Sequence, residues 1–126
     1  MNKIQIHEFD PVIYPYKIWI AITDNLNAAV ENYANDKTGG DISFEDCERF
    51  NAMAFTCYNK QNKDIGVMIL FKTKKACSVR TMSHESVHAS QFFWDLMGEE
   101  TKGIEAEAYL VGWIAECCEK VKLNKE

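Results

Sequence analysis

The chain predicts an α+β fold: a small, mostly antiparallel sheet covered on one face by helices. Three observations carry this. Strand patterns dominate the first 72 residues, two of them flank a polar hairpin connection, and long helical patterns fill the rest. At 126 residues and 47% apolar content, residues 1–126 form a single domain able to bury about two-thirds of its unfolded surface.

Residues 4–9 alternate polar and apolar side chains, as a short strand does. Pro11 and Pro15 end it, because proline cannot sit in a central strand. Residues 16–22 alternate again into a second strand. Asp24 is placed to cap a helix through Leu26, Ala29, Val30 and Tyr33, closed by the turn residues at 35–40. Residues 42–50 are ambiguous, with Ser43 able to cap a short acidic helix. Residues 51–58 and 65–72 flank the polar stretch 59–64 and read as a hairpin. The apolar run from Ile65 to Phe71 reads as a buried strand. A helix follows: Ser78, Thr81 and Ser83 are candidate N-caps, no glycine or proline interrupts residues 82–97, and Gly98 ends it. A second helix over 103–116 is apolar around most of its circumference, which predicts burial against the first. Residues 120–126 are expected to fray.

The first of these long helices carries His84-Glu85-Ser86-Val87-His88. Four helical residues advance about 6 Å and return to within roughly 40° of the starting direction, so both imidazoles point at one spot and can hold a divalent metal. Glu85 is turned about 100° from His84 and is better placed to take a proton from a metal-bound water than to join the ion. A catalytic zinc site needs a third protein ligand. Gln91 and Trp94 stand where a metzincin would carry glycine and histidine, and Asp95 lies about 10 Å along the axis from His88. The third ligand must therefore come from another element. On the second helix Glu105, Tyr109, Gly112 and Glu116 share a face, while Glu107 points roughly 200° away from Glu105. Only one of these two acids can serve the metal.

A helix carrying Glu105-Ala106-Glu107-Ala108-Tyr109 after an H-E-x-x-H helix resembles the glutamate helix of gluzincin metallopeptidases. Residues 52–118 look like a minigluzincin, and the Ala-Tyr-Leu-Val-Gly stretch is similar to short proteins of phages and prophages of gut bacteria. The resemblance implies a zincin-like core, a Zn²⁺ ion held by His84, His88 and Glu105, and peptide-bond hydrolysis with Glu85 as general base. Small residues at Ala108 and Gly112 near the Glu105 face favour the same acid. Better-known gluzincins often have aspartate where this chain has Tyr109, whose hydroxyl is then expected to orient a histidine or stabilise an oxyanion. No histidine follows His88 to act as the usual transition-state donor.

The expected partner is a peptide or protein substrate, added as an extra strand at an exposed sheet edge, for which 65–72 is the candidate. The competing expectation is a non-catalytic, metal-bearing interaction module. A net charge of −5 argues against nucleic acid, with Lys72, Lys74, Lys75 and Arg80 as a local exception. No apolar stretch reaches membrane-spanning length, and the N-terminal pattern is not that of a signal peptide. Five cysteines without zinc-finger or disulfide-scaffold spacing fit a reducing cytoplasm, with Cys117 and Cys118 as packing residues. His7 is expected to be a strand histidine.

Overall fold

A strand that is apolar at every position has to be covered on both faces, and the run at 65–71 finds that cover at the centre of the sheet. The computed structural model describes residues 4–44, 50–98 and 103–124. Its elements are β1 (His7–Phe9), β2 (Lys17–Ile22), α1 (Leu26–Ala29), β3 (Tyr33–Ala34), β4 (Ala52–Asn59), β5 (Ile65–Phe71), α2 (Val79–Met97) and α3 (Ile104–Leu123). The sheet order is β1-β2-β5-β4-β3. Only β2 and β5 run parallel, and the other three pairs are antiparallel. The fold is therefore α+β with a mixed, five-stranded sheet.

The expectation that residues 65–72 form the exposed edge is corrected here: β5 lies between β2 and β4. Val67 through Phe71 are fully buried. Gly66 permits the approach to β2, since a Cβ there would stand 2.1 Å from the Lys17 carbonyl oxygen. No side chain fits between these two backbones.

Two apolar clusters sandwich the sheet. On one face Ile18, Ile20, Val67, Ile69 and Phe71 meet Met82, Ala89 and Phe93 of α2 and Leu110, Ile114, Cys117, Cys118 and Val121 of α3. On the other, Trp19, Ala21, Met68, Leu70 and Cys57 are covered by Ala29, Val30, Tyr33 and the coil residues Ile4, Ile6, Ile42 and Phe44. Both long helices thus lie on one face, as expected. The opposite face is closed mostly by coil.

Local signals set several boundaries. Ser78 caps α2, its hydroxyl accepting from the Thr81 N–H at 3.1 Å, and Gly98 closes the helix in the left-handed conformation. Asn25, not Asp24, caps α1, accepting from the Ala28 N–H. Tyr33 leaves the expected helix for β3 because its ring packs edge-on against Trp19, with centroids 5.1 Å apart. The C-terminal stretch expected to fray is helical to Leu123, since Val121 is a buried member of the α3 stripe. The acidic helix considered within 42–50 falls largely on residues 45–49, outside the described residues.

Candidate metal centre

His84 and His88 lie one turn apart on the outer side of α2, both exposed, with ring centroids 4.7 Å apart and planes at 75°. Their Nε2 atoms are 3.2 Å apart. Two nitrogens bound to one tetrahedral zinc at about 2.0–2.1 Å are separated by roughly 3.3 Å, so the pair needs almost no rearrangement to share an ion. An N–H···N hydrogen bond satisfies the same distance in the metal-free protein.

Glu85 is placed differently. Its carboxylate lies 4.0 Å from His84 Nε2 but is only 7% exposed, tucked under the helix beside β4. Burial pushes its pKa above the ordinary carboxylate value, with both histidines pulling the other way. The three side chains of the motif therefore divide as the periodicity predicts, two imidazoles outward and one acid inward. A cleft of about 230 Å³ joins His84 and Glu85 to Arg80, Thr81, Asn51 and Ala52.

The structure does not bring Glu105 or Tyr109 to this pair. Helices α2 and α3 form a hairpin in which Ser86 Oγ meets Cys118 Sγ at 4.0 Å. Thirteen helical residues separate Cys118 from Glu105, about 20 Å along the axis; Glu107 and Tyr109 stand roughly 16 and 14 Å away. Orientation agrees with distance. Glu105, Tyr109, Gly112 and Glu116 share a face as expected, but all four are exposed. Leu110, Ile114, Cys117, Cys118 and Val121 take the sheet-facing side, which turns the Glu105 face to solvent. Nothing approaches Gly112 within 4 Å of where a Cβ would stand, so its small size serves no helix contact. Tyr109 instead lines a groove with Pro11, Ile13 and Trp113. Glu107 lies half-buried on the flank that carries Cys118. Among the described residues no three His, Cys, Asp or Glu side chains converge as a metal cage.

The four described cysteines are buried free thiols. Burial raises the pKa of each, to about 12 for Cys117 and Cys118, which keeps them protonated packing residues at neutral pH. His7 is buried in β1, far along the chain from the pair. Of the basic cluster, Lys74, Lys75 and Arg80 are exposed, while Lys72 lies 5.9 Å from the Phe50 ring centroid.

Sequence reasoning missed Asn51, Ala52 and Thr81, which wall the cleft, and missed that β4 supplies its edge. A signal was present. Residues 52–59 mix alanine, threonine and asparagine with apolar residues, whereas 65–71 is apolar without interruption, and the less apolar strand is the one left half-covered. No helix of the described residues is long and apolar enough to cross a membrane. Compared with known proteins, the chain matches no family model, no curated protein and no solved structure.

Proposed function

We propose that the chain is a metal-dependent hydrolase of peptide bonds centred on His84, Glu85 and His88. The observation that carries this reading is the 3.2 Å approach of the two Nε2 atoms next to a recessed carboxylate. His84 and His88 hold the metal, and zinc suits an imidazole pair. Bound there, zinc supplies a water acidified toward neutrality and polarises a carbonyl oxygen. Glu85 takes the water proton and returns it to the leaving amine, a role served by its raised pKa and its place at the floor of the cleft. Glu105, the third ligand that the resemblance to gluzincins implies, fits only if α3 shifts along α2. The oxyanion or orienting role implied for Tyr109 has the same requirement. Buried free thiols favour a reducing, cytoplasmic setting.

Elemental analysis and peptide cleavage by the wild-type and Glu85→Gln proteins test the reading. Zinc retained by both and turnover lost only in the variant is the expected result; cleavage that survives Glu85→Gln rejects it. A second reading, a non-catalytic metal-bearing interaction module, is favoured by the absence of a third donor at the pair among the described residues. It predicts zinc binding with no cleavage of any peptide.

A further inference from the structure

Residues 10–14 form a turn that holds a β-branched residue in a conformation such residues rarely adopt. Val12 has φ 67°, and the Ile13 N–H reaches back to the Pro11 carbonyl at 2.7 Å, the hydrogen bond of a γ-turn of the rare, strained, positive-φ kind. The turn is held from several sides. Asp10 Oδ1 accepts from the Val12 N–H at 2.8 Å, Lys17 Nζ donates to Asp10 Oδ2 at 2.7 Å, and the Tyr14 ring packs edge-on against Phe93 and Trp94 at 6.0 and 5.8 Å. Backbone strain persists only where the surroundings impose it, and it gathers at positions with a use. What this strain delivers is exposure: Val12 and Ile13 are 84% and 80% exposed.

A groove of about 380 Å³ opens beside the turn. Pro11, Ile13 and Tyr14 form one wall, and Ala106, Tyr109 and Trp113 of α3 form the other. None of its lining side chains is charged. No described residue covers it, and Tyr109 is 75% exposed. Turn and groove together present on the order of 600 Å² of largely apolar surface, the upper end of what a monomer exposes in one patch.

We propose that two copies of this chain pair through this surface about a two-fold axis, the Val12 side chain of each entering the groove of the other. A two-fold interface must supply the shape it receives, and here a projecting side chain and an apolar hollow stand side by side. The area agrees: two such patches bury about 1,200 Å², the lower bound for a specific, stable interface. Composition agrees as well. Tyrosine and tryptophan, here Tyr109 and Trp113, are enriched at interface centres, from which charged residues are depleted. Each copy carries a net charge of −5, so like copies approach at least cost through an uncharged surface. The pairing leaves the metal centre open. With Ser86 against Cys118, the antiparallel hairpin sets Trp94 against Leu110 at the floor of the groove, about 15 Å along α2 from His84. Pairing therefore requires neither metal nor turnover.

Sedimentation velocity of the full chain in EDTA, loaded from about 1 to about 300 µM, tests the pairing across the range a small interface calls for. The wild type is expected to pass from monomer to dimer. Val12→Gly is expected to weaken the dimer about tenfold or more, because each dimer loses two buried valine side chains. Its melting temperature in dilute solution is expected to hold or rise, since glycine takes positive φ at no steric cost. Ile13→Asp puts a charge into the groove and is expected to weaken pairing at least as much; it decides alone should Val12→Gly lose its native circular dichroism. Ile104→Ser is the control: Ile104 is 86% exposed but lies about 180° around α3 from Trp113, and its loss is expected to leave the dimer unchanged. A chain monomeric at every concentration overturns the proposal, as does a dimer indifferent to Val12→Gly and Ile13→Asp, or one weakened equally by Ile104→Ser. Association that appears only with added zinc and vanishes in His88→Ala overturns it and assigns the contact to the histidine pair. A monomer that binds 1-anilinonaphthalene-8-sulfonate, with the signal lost in Ile13→Asp, overturns it and gives the groove to a small apolar ligand.

Discussion

Zinc added to chelator-treated protein is expected to raise its melting temperature through His84 and His88, and removing either imidazole is expected to abolish the effect. The magnitude follows from the geometry. With Nε2 atoms already 3.2 Å apart, against roughly 3.3 Å for two zinc-bound nitrogens, little strain opposes binding. A ligand present at one hundred times its dissociation constant stabilises the folded state by about 2.7 kcal/mol. At an unfolding entropy near 2.1 cal/mol/K per residue, a chain of 126 residues then melts about 10 °C higher. Scanning calorimetry at pH 7.5 across a zinc titration measures the shift in the wild type, His84→Ala, His88→Ala, Glu85→Gln and Glu105→Ala. Both histidine variants should lose it and Glu85→Gln should keep it. Glu105→Ala should also keep it, because that carboxylate stands about 20 Å along the helix hairpin. A wild type that takes up no zinc, or a shift that survives His88→Ala, refutes the reasoning. Loss of the shift in Glu105→Ala refutes the helix register as the metal-bound arrangement.

Three further outcomes follow from packing and burial. Gly66→Ala places a methyl against the Lys17 backbone, and urea denaturation should show a loss of about 1–3 kcal/mol; an unchanged midpoint would contradict the β2/β5 approach. Phe93→Ala empties a fully buried site that Tyr14 and Tyr16 meet edge-on at 6.0 Å, and should cost about 3–5 kcal/mol by the same measurement. In metal-free protein Glu85→Gln should be stabilising at neutral pH. Because the folded state raises the Glu85 pKa, it holds that proton more tightly than the unfolded chain, so stability falls as pH climbs from the ordinary value of 4.5 through the raised one. Melting curves of the two proteins should converge near pH 4 and separate above it, and parallel curves would show that the carboxylate is not desolvated.

Local chemistry was legible along the chain. Ser78 and Gly98 bracket α2 because a hydroxyl cap and a left-handed glycine act within a few residues of themselves. The meeting of His84 with His88, and the separate direction of Glu85, follow from helical periodicity alone. The uninterrupted apolar run at 65–71 announced a buried strand, and its central place could have been inferred from the same run, since an edge strand has no need to be apolar on both faces.

What sequence could not determine is which surfaces meet across long separations. Helix α3 is apolar around most of its circumference, so periodicity left several faces able to pack; the sheet selects the Leu110, Ile114, Cys117 and Val121 stripe, and that choice carries Glu105 and Tyr109 outward. The hairpin of α2 and α3 then sets Ser86 against Cys118, a register no local signal contains. Strand order has the same origin: β4 meets β5 through a local hairpin, but the parallel pairing of β5 with β2 joins residues far apart in the chain, and it makes β5 central and leaves β4 to stand beside His84 and Glu85 at Ala52. The chain by itself determined the chemistry of the motif helix, because neighbours in sequence created it. Tertiary packing decided what stands next to that helix, because burial of apolar area is indifferent to the order in which residues are joined.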